Sequence, residues 1–491
     1  MRKSAFPVLL ILFLLFHFPF LTADPDTLVD LNTRGAWTDE GLYAAQSRNL
    51  VDAGSFSLHE NSTFVRGPLF SILQLPFFYI FGTHLLVARL LVLVSLALSL
   101  LLFFKKFPEN QMFLVFLGIT ALSQFQLFQF SHYALAELLC IALTFASLAF
   151  LIQWQERFYF GRSFNTSLAF AQLFIFLAYA AKIQYLYLAA LPSLAIFLLL
   201  IMRLPEKDRS SKKLFVQFGI SIGLMLAFLL LYALWYFVNK DFYNYIMLNE
   251  TSGRFPLNWP DILTITRFNI QHYLWTKEIK LLLILSCLAL PGFALWKALS
   301  KRDIRLELIF IFGLSWTLLE LHKLPMLYIP NRYLLSLFFA LGILVAAGLM
   351  MLYRENSYGK ALAFCFAISL GLINMSFNYE AYTRRTYDLE AVNHYLSDKN
   401  LDGAYVLGSW APSLTWASEA RAIPVWNQYF NWKDPINTFH PRCIITEFNE
   451  AESDHAYTQQ GINLDSVSDS SRQFKIWRYD VKVYWIKKGV K

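Results

Sequence analysis

The sequence predicts a mainly α-helical, polytopic membrane protein of about eleven spans, closed by a small α/β domain. Three observations predict it. Of 491 residues, 57% are hydrophobic and only 15% are charged, with a mean hydropathy of +0.44. A soluble domain carries about 25% charged residues, so this chain lacks the polar surface that keeps a domain dissolved. Apolar runs of the length a hydrocarbon core demands recur between residues 5 and 377, and after 378 the composition turns polar with strand-like alternation.

The predicted spans lie near 5–23, 84–104, 111–130, 134–152, 166–182, 184–202, 214–238, 278–296, 306–320, 333–352 and 360–377. The first follows Arg2 and Lys3 and has the form of a signal peptide. With so many apolar runs behind it, it reads as an uncleaved transmembrane helix. Basic residues set the orientation. Lys105 and Lys106, Arg157 and Arg162, the group from Arg203 to Lys213, the group from Lys297 to Arg305, and Arg354 with Lys360 fall in alternate short loops. The opposite loops are longer and hold fewer cations, mainly Arg34, Arg48, Arg66, Lys240, Arg254, Arg267, Lys277, Lys323 and Arg332. Cations concentrate on the cytoplasmic side, so the N-terminus is expected inside and the tail outside, in a membrane of the bacterial inner-membrane type. The net charge of +8 then belongs to membrane topology, and nucleic acid drops out as a partner. Cys140, Cys287 and Cys365 lie in apolar segments and Cys443 stands alone in the tail, so neither a disulfide framework nor a zinc cluster is available.

The expected division is a transmembrane part, 1–377, with long external loops 24–83 and 239–277, and an extracytoplasmic domain, 378–491. The first loop ends in PLFSILQLPFFYIFG (68–82), apolar but too short to span, which reads as an interfacial or re-entrant helix. The second loop is expected to hold another interfacial helix. In the tail, a helix near 383–399 precedes strands at GAYVLG (403–408) and CIITEF (443–448) and paired strands in FKIWRYDVKVYWI (474–486). Neither repeated halves nor interrupted helices are evident, which argues against a secondary transporter.

Chemistry concentrates in the external loops. Asp39 and Glu40 adjoin in TRGAWTDEGLYAAQSRNL, at the start of a weakly amphipathic helix. One reading is structural: Thr38 or Asp39 caps a surface helix and the acids favour its positive end. The other is catalytic. Inverting glycosyl transfer needs a base for the acceptor's proton while a phosphate departs from the opposite face of the sugar, and a carboxylate beside phosphate-holding cations would serve. Arg66, Lys182, Arg254 and Arg332 are the available cations on the expected external side. Each alone reads as a snorkelling interface residue; several on one face read as a site. Glu137, in the outer turns of a span, is either functional or paired with a cation such as Lys182. Asp24-Pro25-Asp26 has the spacing of a nucleotide-sugar metal motif, but on the external side it reads as a turn.

The chain resembles the GT-C superfamily of membrane glycosyltransferases, in particular the protein O-mannosyltransferases and the aminoarabinose transferases that modify lipid A. WTDEGLYAAQSRNL, RGPLFSILQLPFFYIFG, ALAELL, YAAKIQYLYLAALP, and ETSGRF with PNRYLL carry the likeness, over roughly residues 5–350. The resemblance implies Asp39 as catalytic base with Glu40 beside it. Lys182, Arg254 and Arg332 become ligands of the lipid phosphate, Arg66 a further substrate-binding cation, and Glu137 a border of the acceptor or sugar pocket. It implies a polyprenyl-phosphate sugar donor and a lipid, glycan or protein acceptor. No cofactor is assigned. A divalent metal is possible in the family, but Val65 stands where the lipid A enzymes carry an acidic ligand, so no metal site is carried over. Gly67 replaces the first of the family's two prolines, and the tail lacks the sugar-binding repeats of some O-mannosyltransferases. A polysaccharide polymerase or ligase of the cell envelope, which also uses lipid-linked sugars, is the competing enzyme class. A membrane scaffold in which Asp39 only caps its helix is the non-enzymatic one.

Overall fold

The computed structural model describes residues 5–26, 34–58, 67–159, 166–203, 209–238, 254–256, 258–299 and 303–489. Its longer helices are, in chain order, α1 (Ala5–His17), α2 (Gly35–Ala53), α3 (Pro68–Phe81), α4 (Leu85–Lys106), α5 (Gln111–Leu117), α6 (Phe125–Phe130), α7 (Ala136–Tyr159) and α8 (Thr166–Ala181). They continue with α9 (Leu191–Arg203), α10 (Arg209–Val238), α11 (Trp259–Asn269), α12 (Lys280–Leu299), α13 (Ile304–Glu320), α14 (Leu335–Glu355), α15 (Ser357–Thr383) and α16 (Asp388–Ser397).

Each of the apolar stretches expected to span is helical. A helix is the local structure that satisfies every backbone N–H and C=O within its own segment, which hydrocarbon requires. Among the described residues, seven helices are long and apolar enough to cross a bilayer. The stretches near 5–23, 111–130, 166–182 and 306–320 form shorter or interrupted helices. The apolar run at 68–82 is the 14-residue helix α3, opened by Pro68 where a missing N–H costs nothing. The helix expected in the second long loop is α11, which leaves Trp259, Leu263 and Phe268 exposed.

Interrupted helices, absent from the sequence reading, are present. A π turn over Gly118–Leu122 separates α5 from α6. The backbone of Lys182 is extended (φ −155°, ψ 113°), which ends α8, and a 3₁₀ turn over Ile183–Ala190 leads into α9. Pro192, lacking an N–H, sits in the first turn of α9 where it is tolerated.

The chain divides into two compact units: Met1–Phe16, Leu93–Ser131 and Glu137–Thr383 in one, His17–Val92, His132–Ala136 and Arg384–Lys491 in the other. The first is a helical bundle centred on α14, which touches α5, α12, α13 and α15. Gly342 of α14 carries a carbonyl that accepts from Thr120 Oγ1 at 3.0 Å, and a Cβ there would stand 2.5 Å from the Ala121 side chain. Small residues let these backbones approach, as is usual between helices in lipid. At the rim, α10 exposes Leu226, Leu230, Leu231, Leu234 and Phe237, a face suited to lipid and not to water.

The second unit contains α2, α3 and a five-stranded sheet. Its strands are β1 (Tyr405–Leu407), β2 (Arg421–Ile423), β3 (Cys443–Glu447), β4 (Ser468–Ile476) and β5 (Tyr479–Ile486), in the order β2-β1-β3-β5-β4. β1 runs parallel to β2 and β3, and β5 antiparallel to β3 and β4. Every residue of β3 is buried, because both faces of this central strand are covered. β2 was not foreseen; three residues are too few to show a period. Helix α2 lies directly on the 411–414 turn: a Cβ on Gly41 would sit 2.3 Å from Ser413 N and 2.4 Å from Pro412 C. The Arg48 guanidinium closes the same contact by donating to the Pro412 and Thr415 carbonyls at 2.7 and 2.6 Å.

Candidate functional site

The residues singled out by sequence fall in both units. Asp39 and Glu40 belong to the unit with the sheet, while Glu137, Lys182, Arg254 and Arg332 belong to the helical bundle. Arg66 lies outside the described residues.

The structural reading of the acidic pair does not hold. The residue before the first turn of α2 is Arg34, without a side-chain cap, and Asp39 and Glu40 enter in the second turn. The Thr38 hydroxyl bonds back to the Arg34 carbonyl at 3.1 Å, inside the helix. Nor is α2 a surface helix, since both carboxylates are buried, at 3% and 2% exposure. Burying two adjacent acids is costly unless each is matched or used.

Glu40 is matched. Arg89 grips it with both prongs, Nε to Oε1 at 2.9 Å and Nη2 to Oε2 at 2.6 Å, and Ala134 N donates to Oε1 at 2.6 Å. The Arg89 Nη1 also donates to the carbonyls of Phe20, Leu21 and Ala23 at 3.1, 3.2 and 2.7 Å. Sequence reasoning missed Arg89. Its signal was a single cation inside LLVARLLVLV, where ionisable groups persist only when paired or used.

Asp39 stands among acids of the sheet unit. Burial pushes the Glu452 carboxyl above its usual range, and Glu450 and Asp39 add to the shift. Burial likewise raises Glu447, against the pull of Arg34, whose guanidinium is 2.9 Å from Glu447 and 2.8 Å from Glu450. Beside them Trp37 stacks flat on Trp477 at 6.1 Å, with Trp410 and Tyr479 closing an aromatic box. Asp24 lies in the same unit. Its carboxylate accepts from the backbone N–H groups of Asp388 and Leu389 at 2.7 and 3.1 Å, holding the start of α16.

In the helical bundle, four of the predicted residues converge. Glu137, in the first turn of α7, accepts from Lys182 Nζ at 2.6 Å and lies 3.2 Å from Arg332 Nε. Lys182 reaches it because the chain breaks there, and Arg332 because it sits in the 3₁₀ turn before α14. The ring of Tyr333 gathers the cations: Lys182 Nζ, Arg332 Cζ and Arg254 Cζ lie 5.3, 5.4 and 5.8 Å from its centroid. A second pair adjoins. Lys323 Nζ is 2.6 Å from Glu320 Oε2 and donates to the Tyr333 carbonyl at 2.7 Å. Glu320 also accepts from the Tyr187 and Ser336 hydroxyls, each at 2.5 Å.

Among the described residues this cluster therefore holds four cations, Lys182, Arg254, Lys323 and Arg332, and two carboxylates, Glu137 and Glu320. Such an excess in a low-dielectric setting favours an anion. Sequence reasoning counted Lys323 only for topology and passed over Glu320 and Tyr333. The pattern LLELHKLP, two charges at the end of an apolar run, carried the signal. Among the described residues no group of three or more His, Cys, Asp or Glu side chains could hold a metal ion.

No family model and no curated protein matches the chain. Solved structures do. ArnT from Cupriavidus metallidurans in the apo state aligns with a TM-score of 0.59 at 15% identity, covering 98% of both chains. The same protein bound to undecaprenyl phosphate aligns at 0.57, again at 15% identity and 98% of both chains. The oligosaccharyltransferase AglB from Archaeoglobus fulgidus, in complex with an inhibitory peptide and a dolichol-phosphate, aligns at 0.52 and 11% identity, covering 91% of this chain and 70% of AglB. Both solved structures have the GT-C fold. The seven long apolar helices and the small sheet of this chain belong to that architecture: the protein has a GT-C membrane fold like that of ArnT and AglB.

Proposed function

We propose that this protein moves a sugar from a polyprenyl-phosphate donor to an acceptor on the non-cytoplasmic face of the membrane, with inversion at the anomeric carbon. The observation that carries the reading is the convergence of Lys182, Arg254 and Arg332 on Tyr333 beside Glu137, in a chain of GT-C fold. All of these residues lie at one end of α7, α8, α13 and α14, the end that basic-residue asymmetry assigns to the outside. Undecaprenyl phosphate in the ArnT structure and dolichol-phosphate in the AglB structure support a lipid phosphate as the ligand.

In this reading Asp39 is the general base. It takes the proton of an acceptor hydroxyl as the oxygen attacks the anomeric carbon. The bond from that carbon to the phosphate oxygen breaks, and its electron pair leaves with the lipid phosphate. The phosphate charge grows from −1 as a diester to about −1.5 to −2 as a monoester. Lys182, Arg254 and Arg332 stabilise that growth, with Arg66 as a further cation of the site. Glu40, fixed by Arg89, shapes the helix that carries Asp39, and Glu137 holds Lys182 and Arg332 in place. On this reading the 378–491 segment lies outside and is the domain that meets a lipid, glycan or protein acceptor. The test is turnover of a panel of polyprenyl-phosphate sugars by the purified full-length protein in nanodiscs, with mass analysis of the acceptors. Transfer from one of them, abolished with Lys182→Met, supports the reading. Transport of a solute without glycosyl transfer defeats it.

A further inference from the structure

Two tyrosines in the 3₁₀ turn after Lys182 are treated differently. Tyr187 donates its hydroxyl to Glu320 at 2.5 Å. Tyr185, only 2% exposed, has a hydroxyl with no hydrogen-bond partner among the described residues. Its ring stacks on Tyr187 at 6.1 Å, and Lys323 Nζ lies 5.4 Å from its centroid. Its hydroxyl is within electrostatic reach of Glu137, Glu320 and Tyr333. The Oε2 atom of Glu137 is likewise without a hydrogen-bond partner among the described residues. Phenylalanine would fill the same volume at Tyr185 without the penalty of a buried, unmatched hydroxyl. Inside a cluster rich in cations, an unmatched hydroxyl is a donor open to an anionic ligand.

We propose that the Tyr185 hydroxyl donates a hydrogen bond to an oxygen of the lipid-linked phosphate bound by this cluster, and so selects a phosphorylated polyprenol over the free alcohol. The inference rests on reading the cluster as the lipid-phosphate site. The 3₁₀ turn serves this end, because a break at Lys182 brings its ammonium to Glu137 and Tyr187 to Glu320, with Tyr185 stacked on Tyr187.

The experiment compares Tyr185→Phe, Lys182→Met and the unaltered full chain in nanodiscs, titrated with undecaprenyl phosphate and, separately, with undecaprenol. Loss of one hydrogen bond to a charged group predicts that Tyr185→Phe weakens undecaprenyl phosphate binding about 10- to 100-fold. Undecaprenol binding should be unaltered. Without lipid, Tyr185→Phe should melt at or above the unaltered protein, since it removes an unmatched polar atom. Normal phosphate binding by Tyr185→Phe, with binding lost in Lys182→Met, overturns this inference and leaves the site reading intact. Normal binding in both variants overturns the site reading as well. A lowered melting temperature for Tyr185→Phe without lipid shows that the hydroxyl has a structural partner, and also overturns it.

Discussion

Lys182 Nζ and Glu137 Oε1 stand 2.6 Å apart, and both side chains are buried, at 1% and 0% exposure. The residues are 45 positions apart in sequence and are joined because α8 ends where it does. Arg332 adds a second cation to the same carboxylate at 3.2 Å. An ion pair sealed in this way is weak evidence for stability as such, but removing one partner leaves the other charged and uncompensated.

Glu137→Gln should therefore cost about 3–5 kcal/mol of stability, the range for breaking a buried pair. Thermal unfolding in detergent would show it as a clear fall in melting temperature. Undecaprenyl phosphate should restore more of the loss in the variant than it adds to the unaltered protein, because the phosphate supplies the missing negative charge. A variant that melts like the parent would remove the pair from the site.

Asp39 lies inside α2 and not at its cap, so Asp39→Asn conserves volume without disturbing the helix start. What it loses is proton acceptance. A positioned general base contributes about 10² to 10⁴ in rate, or about 3–5 kcal/mol at 1.36 per decade. Turnover should fall by that factor while undecaprenyl phosphate binding persists. Glu40 cannot take over, since Arg89 holds both of its oxygens. Turnover within a few-fold of normal would exclude Asp39 as the base.

Arg89 serves Glu40 and also three carbonyls, so the two partners should not be equivalent. Arg89→Met is expected to cost about 3–5 kcal/mol by leaving the Glu40 carboxylate buried without its counter-charge, held only by Ala134 N. Glu40→Gln should cost less, because the amide oxygen still accepts and the three carbonyls keep their donor. A double-mutant cycle read by unfolding should give a coupling of about 1–3 kcal/mol. Additive effects would mean that the pair is not formed.

Burial pushes the Cys443 thiol up to about 12, against the opposing pull of Arg442. The folded protein then keeps a proton that the unfolded chain loses near the ordinary thiol value of 9.0. Stability is independent of this group below that value and falls as pH rises from there toward 12. In a protein with Cys140, Cys287 and Cys365 replaced by serine, a maleimide at pH 8 should label only after denaturation. Rapid labelling of the native protein would contradict the placement of β3 in the sheet interior.

Much of the helical layout was legible because hydrocarbon imposes a local rule. A segment that cannot bond to water must bond to itself, so runs such as 84–104 and 333–352 announced α4 and α14 by composition alone. Alternation announced β4 and β5 in the same way, although the three-residue β2 offered no period to read. The acidic pair was legible as a feature, but its environment was not. WTDEGLY looks like a helix start, and only the packing of Gly41 on Pro412 and Ser413 turns that stretch into an interior segment with two buried acids.

The sequence by itself determined the membrane class, the order of the apolar helices and of the longer strands, and that charged residues such as Glu137 stand in apolar surroundings. Those properties depend on residues within a turn or a strand of one another. Only the tertiary structure decided which charge meets which: Glu40 with Arg89, Glu137 with Lys182 and Arg332, and Tyr333 at the centre of three cations. The Arg332 and Glu137 side chains are separated by most of the bundle along the chain. Composition can say that each needs a partner in a low-dielectric interior, but the partner is chosen by how the helices stack and where they break.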